Sequence, residues 1–343
     1  MYNILSIDGG GIRGIIPAII LNYIEEQLQK RTGNPDARIA DFFDLVAGTS
    51  TGGILACYYV KPLNDGRSLA KDVIDVYARR GKEIFKRKFG VIGLTTEIYP
   101  AAGLERILKE FFGDSTLADA RKDCLVTAYD ITERKAVLFT RPDAQRYPHR
   151  NYYLREVARA TSAAPSYFEP AVVRSLGGVV SYLVDGGMYA NNPTLCAFAE
   201  ATKAINNGAK HPPLSTELST VNCQLSILSI GTGKERRKYD YNKAKDWGLV
   251  GWARPVVDLL LSSSAEVVDY QMRQLFGANP SLEGRAGEGL YTRLEPALAK
   301  AKPDMDDASP ANIQKLTDAA HAFIEENIER LDEVIKQIKR KNE

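Results

Sequence analysis

The chain has 343 residues, 44% apolar and 26% charged, enough for one large α/β domain or two smaller ones with a sizeable core. Lys plus Arg total 45 against 43 for Asp plus Glu, and the resulting net charge of +2 argues against a chain-wide surface for a nucleic acid polymer. Four scattered cysteines (Cys57, Cys124, Cys196 and Cys223), with no C-x-x-C pair, exclude a zinc ribbon and a disulfide scaffold and read as buried thiols of a reducing compartment.

Residues 4–7 form a short apolar run ending at glycines, the pattern of a buried strand. Residues 15–30 have helical spacing and stop at Thr32-Gly33-Asn34-Pro35. A strand over 43–47 leads into a helix over 54–60, and 68–88 and 101–112 read as helices. Residues 125–129 and 136–140 read as strands joined through Thr132-Glu133-Arg134. A helix near 153–160, a strand over 179–184, a helix from 193 and a strand over 225–230 follow. This alternation implies a largely parallel sheet covered on both faces. Residues 208–222 and 277–289 are loop-like yet short for domain linkers. Ser309 as N-cap and Pro310 at the first helical position open a long C-terminal helix, with Ile313, Leu316, Phe323, Ile324 and Leu331 on one stripe. The expected organisation is one domain over 1–300 with the helix 309–343 packed on it. No basic leader precedes residue 4, and the apolar stretches 14–24 and 45–60 are too short or too polar to span a bilayer, so the chain reads as cytoplasmic.

Glycine clusters mark the ends of several predicted strands, where α/β sheets build their sites. The first, Asp8-Gly9-Gly10-Gly11-Ile12-Arg13-Gly14, fits G-x-G-x-x-G between a strand and a helix. A dinucleotide site also needs a strand ending in an acidic residue about 20 positions on. There the chain has Glu25 and Glu26 inside a helix, followed by a polar turn. The other use of such a loop is to stabilise a transient oxyanion with the N–H groups of Gly9, Gly10 and Gly11, helped by the charge of Arg13.

The second cluster, Gly48-Thr49-Ser50-Thr51-Gly52, is G-x-S-x-G directly after a strand, the pattern of a nucleophile elbow. Its glycines let strand and helix pass closely, and Ser50 becomes the candidate nucleophile. A serine needs a base. The three histidines each have a plainer reading: His211 in a Pro-rich loop, His321 near the stripe of the C-terminal helix, His149 in an exposed turn. Asp185, opening Asp185-Gly186-Gly187 at a strand end, is the other candidate, although the tripeptide alone reads as a turn. A carboxylate is a poor base in water and a workable one in a partly dry site.

Taken together, residues 4–17, 41–53 and 160–168, Val184-Asp185-Gly186-Gly187 and Asn191-Asn192-Pro193 resemble the patatin-like phospholipase family. The resemblance covers roughly residues 2–235, and the remaining third matches more loosely. It implies a three-layer α/β/α fold with a mainly parallel central sheet and a Ser50–Asp185 dyad without histidine. It also implies an oxyanion hole from Gly9, Gly10 and Gly11 with Arg13 nearby, and motif support from Gly14, Gly48, Gly52, Gly186 and Gly187. No metal or cofactor is required. The expected substrate is a phospholipid or other acyl lipid, cleaved in the phospholipase A or lysophospholipase manner through an acyl-serine. Two alternatives stay open: an acyltransferase, and a phospholipase effector of bacterial antiphage signalling switched on by a cyclic nucleotide. No residue of the C-terminal third identifies such a regulator.

An enzyme of this kind must reach lipid. Residues 82–94 mix Lys82, Lys86, Arg87 and Lys88 with Phe85, Phe89 and Ile92, and residues 234–245 hold six basic side chains against two acidic, with Trp247 and Trp252 close behind. Both suit peripheral contact with an anionic membrane surface, and both also read as solvated charged segments.

Overall fold

The computed structural model describes residues 1–63, 69–86, 98–208, 225–234, 239–276 and 290–339. In chain order, β1 (Tyr2–Ile7) leads into α1 (Ile15–Thr32) and β2 (Leu45–Gly48) into α2 (Thr51–Val60). Helices α3 (Ala70–Ile84) and α4 (Ala102–Phe112) precede the hairpin of β3 (Asp123–Asp130) and β4 (Lys135–Thr140). Helices α5 (Arg141–Arg146) and α6 (Leu154–Thr161) lead to a second hairpin, β5 (Ala171–Arg174) and β6 (Val180–Asp185). The one-turn α7 (Gly187–Ala190), α8 (Thr194–Gly208), β7 (Leu225–Ile230), α9 (Tyr241–Ala244) and α10 (Gly248–Leu275) follow. Strand β8 (Leu290–Leu294) and helices α11 (Pro310–Glu326) and α12 (Ile328–Lys339) complete the described chain.

The strands form one sheet in the order β5-β6-β3-β2-β1-β7-β8, with β4 paired to β3. Central β1 pairs in parallel with β2, Ile4 facing Leu45 and Ile7 facing Gly48, and with β7, Tyr2 facing Leu225. Strands β3 and β8 extend this parallel core outward. Strand β4 runs antiparallel to β3 and β5 antiparallel to β6, as the short links of these two hairpins require, and β6 also pairs antiparallel with β3. The sheet is mainly parallel, as expected, and mixed at one end.

Period-two alternation puts β1 between two cores. Leu5 and Ile7 join Val46, Val126 and Ile230 against α1, α2 and the C-terminal helices. Ile4 joins Leu45, Leu125 and Ile227 against Ala197 and Phe198 of α8 and Met272 of α10. The result is three layers, α/β/α. Helix α2 is buried along nearly its whole length, which explains why its sequence shows no polar face.

The expected C-terminal helix is two helices. The Ser309 side chain caps α11 by accepting the Asn312 N–H, and the break falls at Asn327, whose Nδ2 donates to the Phe323 carbonyl. Strands β5 and β8 and the 28-residue α10 have no counterpart in the sequence reading. Cys57 and Cys124 are buried thiols and Cys196 is half-buried, whereas Cys223, His211 and the two loop-like stretches 209–222 and 277–289 lie outside the described residues.

Candidate active site

Strand β2 ends at Gly48 and α2 begins at Thr51, so the chain reverses within two residues. Ser50 takes the turn at φ 54° and ψ −124°, a conformation costly for a residue with a Cβ. The close pass of strand and helix needs its glycines: a Cβ on Gly48 would collide with the Gly52 carbonyl, and one on Gly52 with the carbonyl of Ile7. The elbow is pinned from both sides. The Ser50 N–H donates to Thr161 Oγ1 at 2.8 Å, and Thr49 Oγ1 donates to the Ala190 carbonyl at 2.6 Å while meeting Thr127 Oγ1 at 2.7 Å.

Asp185 reaches this serine through the sheet. One edge of β3 is occupied by β4 along its length. The other edge is shared: β2 pairs with its first half in parallel, Gly48 facing Val126, and β6 with its second half antiparallel, Asp185 facing Ala128. The C-terminal ends of β2 and β6 therefore converge head to head beside Thr127. The Ser50 side chain lies beside the Asp185 carboxylate, close enough to draw its titration down, and the carboxylate accepts the Gly187 N–H at 2.7 Å. Burial pushes the Asp185 carboxyl up to about 7, against the pull of these two donors. Gly186 lets the chain turn against Thr127, where a Cβ would collide with its hydroxyl.

The glycine loop comes up beside the pair. Gly9 packs against the Ser50 Cβ position, but its N–H is committed to the Asn191 carbonyl at 3.0 Å, and the Ile12 N–H to the Met305 carbonyl at 2.8 Å. The N–H groups of Gly10 and Gly11 carry no such bond among the described residues, and both glycines line the cavity above Ser50. Arg13 is buried behind the loop, where its Nε donates to the Gly10 carbonyl at 3.3 Å, so it braces the loop from outside the cavity. Gly14 lies under the first turn of α2, against Thr51 and Tyr77.

That cavity is narrow and apolar. Ser50, Asp185, Asn191, Gly10 and Gly11 form its polar floor, and Ile54, Ile84, Phe85, Phe168, Leu261 and Met305 are among its walls. Phe85, from the first of the two segments considered for membrane contact, turns inward against Tyr99 and Phe168. Residues 87–94 and 235–238 of those segments lie outside the described residues. Among the described residues that line the cavity, none is a histidine. His149 sits in an exposed turn, as expected, while His321 points away from the apolar stripe of α11 into solvent.

Asn191, part of a stretch that carries the resemblance but without a role there, is buried with its Oδ1 unpartnered among the described residues, beside Gly9 and Gly187. Arg293 carries no signal in sequence. Arg293 of β8 holds Asp8, the residue before the glycine loop, in a buried bidentate ion pair with N···O distances of 2.9 and 2.5 Å, and also contacts Glu295. The strand beside β1 ends in Gly48 and Ser50, so no carboxylate stands where a dinucleotide ribose would need one.

Fold and site define a class: a three-layer α/β/α protein with an elbow serine and a buried carboxylate brought together where β2 and β6 end, beneath an apolar cavity. Residues 5–198 match the patatin-like phospholipase family. The chain is 34% identical over 358 residues to patatin-like protein 2 of Oryza sativa subsp. indica, covering 97% of this chain and 86% of that protein. It is 33% identical over 341 residues to patatin group M-3 of Solanum tuberosum, covering 96% and 85%. Among solved structures, VipD from Legionella pneumophila superposes with a TM-score of 0.40 at 11% identity, over 94% of this chain and 67% of that one. The chain belongs to the patatin-like phospholipase family. Among the described residues, no helix is long and apolar enough to cross a membrane.

Proposed function

We propose that the protein hydrolyses fatty-acyl esters of phospholipids or lysophospholipids, with Ser50 as nucleophile and Asp185 as its base. The observation that carries this is the elbow serine and a buried carboxylate set side by side on the floor of one apolar cavity. Ionised Asp185 takes the Ser50 hydroxyl proton as Oγ attacks the acyl carbon. The carbonyl oxygen becomes an oxyanion within reach of the open N–H groups of Gly10 and Gly11. Collapse breaks the ester bond, and Asp185 returns the proton to the departing alcohol oxygen. Water, deprotonated by the same carboxylate, then attacks acyl-Ser50; the bond to Oγ breaks, the fatty acid leaves, and Asp185 returns the proton to Ser50 Oγ. The apolar cavity offers the acyl chain a dry site, which also strengthens the carboxylate as a base.

The test is turnover of a soluble short-chain ester and of phospholipid by Ser50→Ala and Asp185→Ala, with no nucleotide added. Each variant should lose about a thousandfold or more, whereas replacing His149, His211 and His321 together should leave turnover largely intact. Near-normal activity in either single variant removes the dyad. Loss of activity in the folded triple-histidine variant returns the base to a histidine. Product analysis with a lysolipid acceptor present separates hydrolysis from acyl transfer.

A further inference from the structure

Helix α10 is apolar on two sides. Its inner side closes the site: Leu261 lines the cavity and packs on Gly187 beside Asp185, while Val268 and Met272 sit in the core under the sheet. Its outer side exposes Trp252, Val256, Leu259, Leu260, Val267 and Tyr270, the last two at 53% and 65%. At 3.6 residues per turn these six fall within an arc of about 100° on the far side from Leu261, interrupted by the small Ser263. Isolated exposed apolar residues are ordinary; a contiguous stripe along one helix is an interaction surface.

Two observations say what covers it. The helix begins in an aromatic cluster, with the Trp247 and Trp252 rings 4.9 Å apart and Tyr239 against Trp247 at 5.3 Å, and such amphipathic rings favour a bilayer's interfacial zone. The sequence that feeds into it, 234–245, carries six basic residues against two acidic, a charge complementary to anionic headgroups. The stripe itself carries no charge; the exposed Glu266 flanks it beside Leu259, and Asp269, further round the helix, is paired with Arg273.

We propose that the outer stripe of α10 docks the protein on an anionic lipid surface, which sets the cavity over Ser50 at the bilayer. The purpose of this docking rests on the acyl-hydrolase reading; the docking itself does not.

Trp247 and Trp252 are the chain's two tryptophans, so intrinsic emission reports this surface directly. The full chain is mixed with vesicles of phosphatidylcholine, with or without phosphatidylglycerol, and followed by tryptophan emission and co-sedimentation. Expected are a blue shift and binding favouring the anionic vesicles. The double variant Val256→Glu/Leu260→Glu should bind about tenfold or more weakly and lose vesicle-lipid hydrolysis in proportion, with soluble-ester turnover within about twofold of wild type. Val256→Ser/Leu260→Ser, milder for folding, should move the same way. The proposal is overturned by a folded glutamate variant that binds like wild type, or by a wild type that binds neither vesicle. It is equally overturned by a wild-type dimer that the variant dissociates while vesicles stay unbound. A wild type that binds vesicles yet cleaves no ester supports the docking and removes the acyl-hydrolase reading instead.

Discussion

The Asp185 carboxyl is pulled two ways, by burial toward its neutral form and by the Ser50 hydroxyl and Gly187 N–H toward its charged form. Burial prevails and moves its titration from 3.8 to about 7. Between those values the folded chain holds a proton that the unfolded chain has released, so stability from this group falls as pH rises and the loss is complete above about 7. Asp185→Asn removes the effect. Thermal denaturation should show the variant gaining on wild type between about pH 4 and 8, by an amount on the order of a few kcal/mol. Activity should run the other way, kcat/KM of the wild type rising with pH through a midpoint near 7 to a plateau at about 8, because the base must be ionised. Parallel stability curves, or a rate already flat by pH 5, would remove the raised carboxyl from the account.

Among the elements, β8 contributes more than its place at the sheet edge suggests. Its Arg293 ties the end of β1 and the base of the glycine loop through Asp8. Truncating one partner of a buried ion pair strands the other, so Arg293→Met should cost about 3–5 kcal/mol in urea denaturation. It should also lower turnover, because the loop carrying Gly10 and Gly11 loses its anchor. Pairing it with Asp8→Asn should recover much of the stability; a double variant as unstable as the single one would contradict the ion-pair explanation. The elbow is the opposite kind of element, local and written out in its glycines. Its strand, turn and helix follow one another within residues 45–60, which is why G-x-S-x-G was enough to find it.

For the whole molecule, the C-terminal helices belong to the same packing as the sheet. Leu316, Phe323, Ile324, Leu331 and Ile335 share one apolar core with Leu5 and Val46, and Arg31 of α1 pairs with Asp332 of α12 at 2.6 Å. A chain ending at residue 308 exposes that core over α1 and should lose more than ~5 kcal/mol, seen as a collapsed or non-cooperative thermal transition. An unchanged melting curve would show that residues 309–343 contribute nothing to the fold's stability.

Local signals determined a good part of this protein by sequence alone. The short apolar strands before glycine, the elbow at Ser50, the glycine loop and the Ser309 cap each depend on neighbours within a few residues. The family resemblance rested on those same stretches. What only the tertiary structure decided involves partners far apart in the chain. Asp8 and Arg293 lie 285 residues apart, and α10 shows no single apolar face in sequence because two of its sides are apolar. Gly9 and Arg13 look like equal members of an oxyanion hole in the motif, yet the fold commits the first to Asn191 and turns the second away from the cavity. Asp185-Gly186-Gly187 could be read on its own as nothing more than a turn. Its carboxylate meets Ser50 because β2 and β6 run toward each other along one edge of β3, and strand pairing over such distances is set by the packing of the whole sheet.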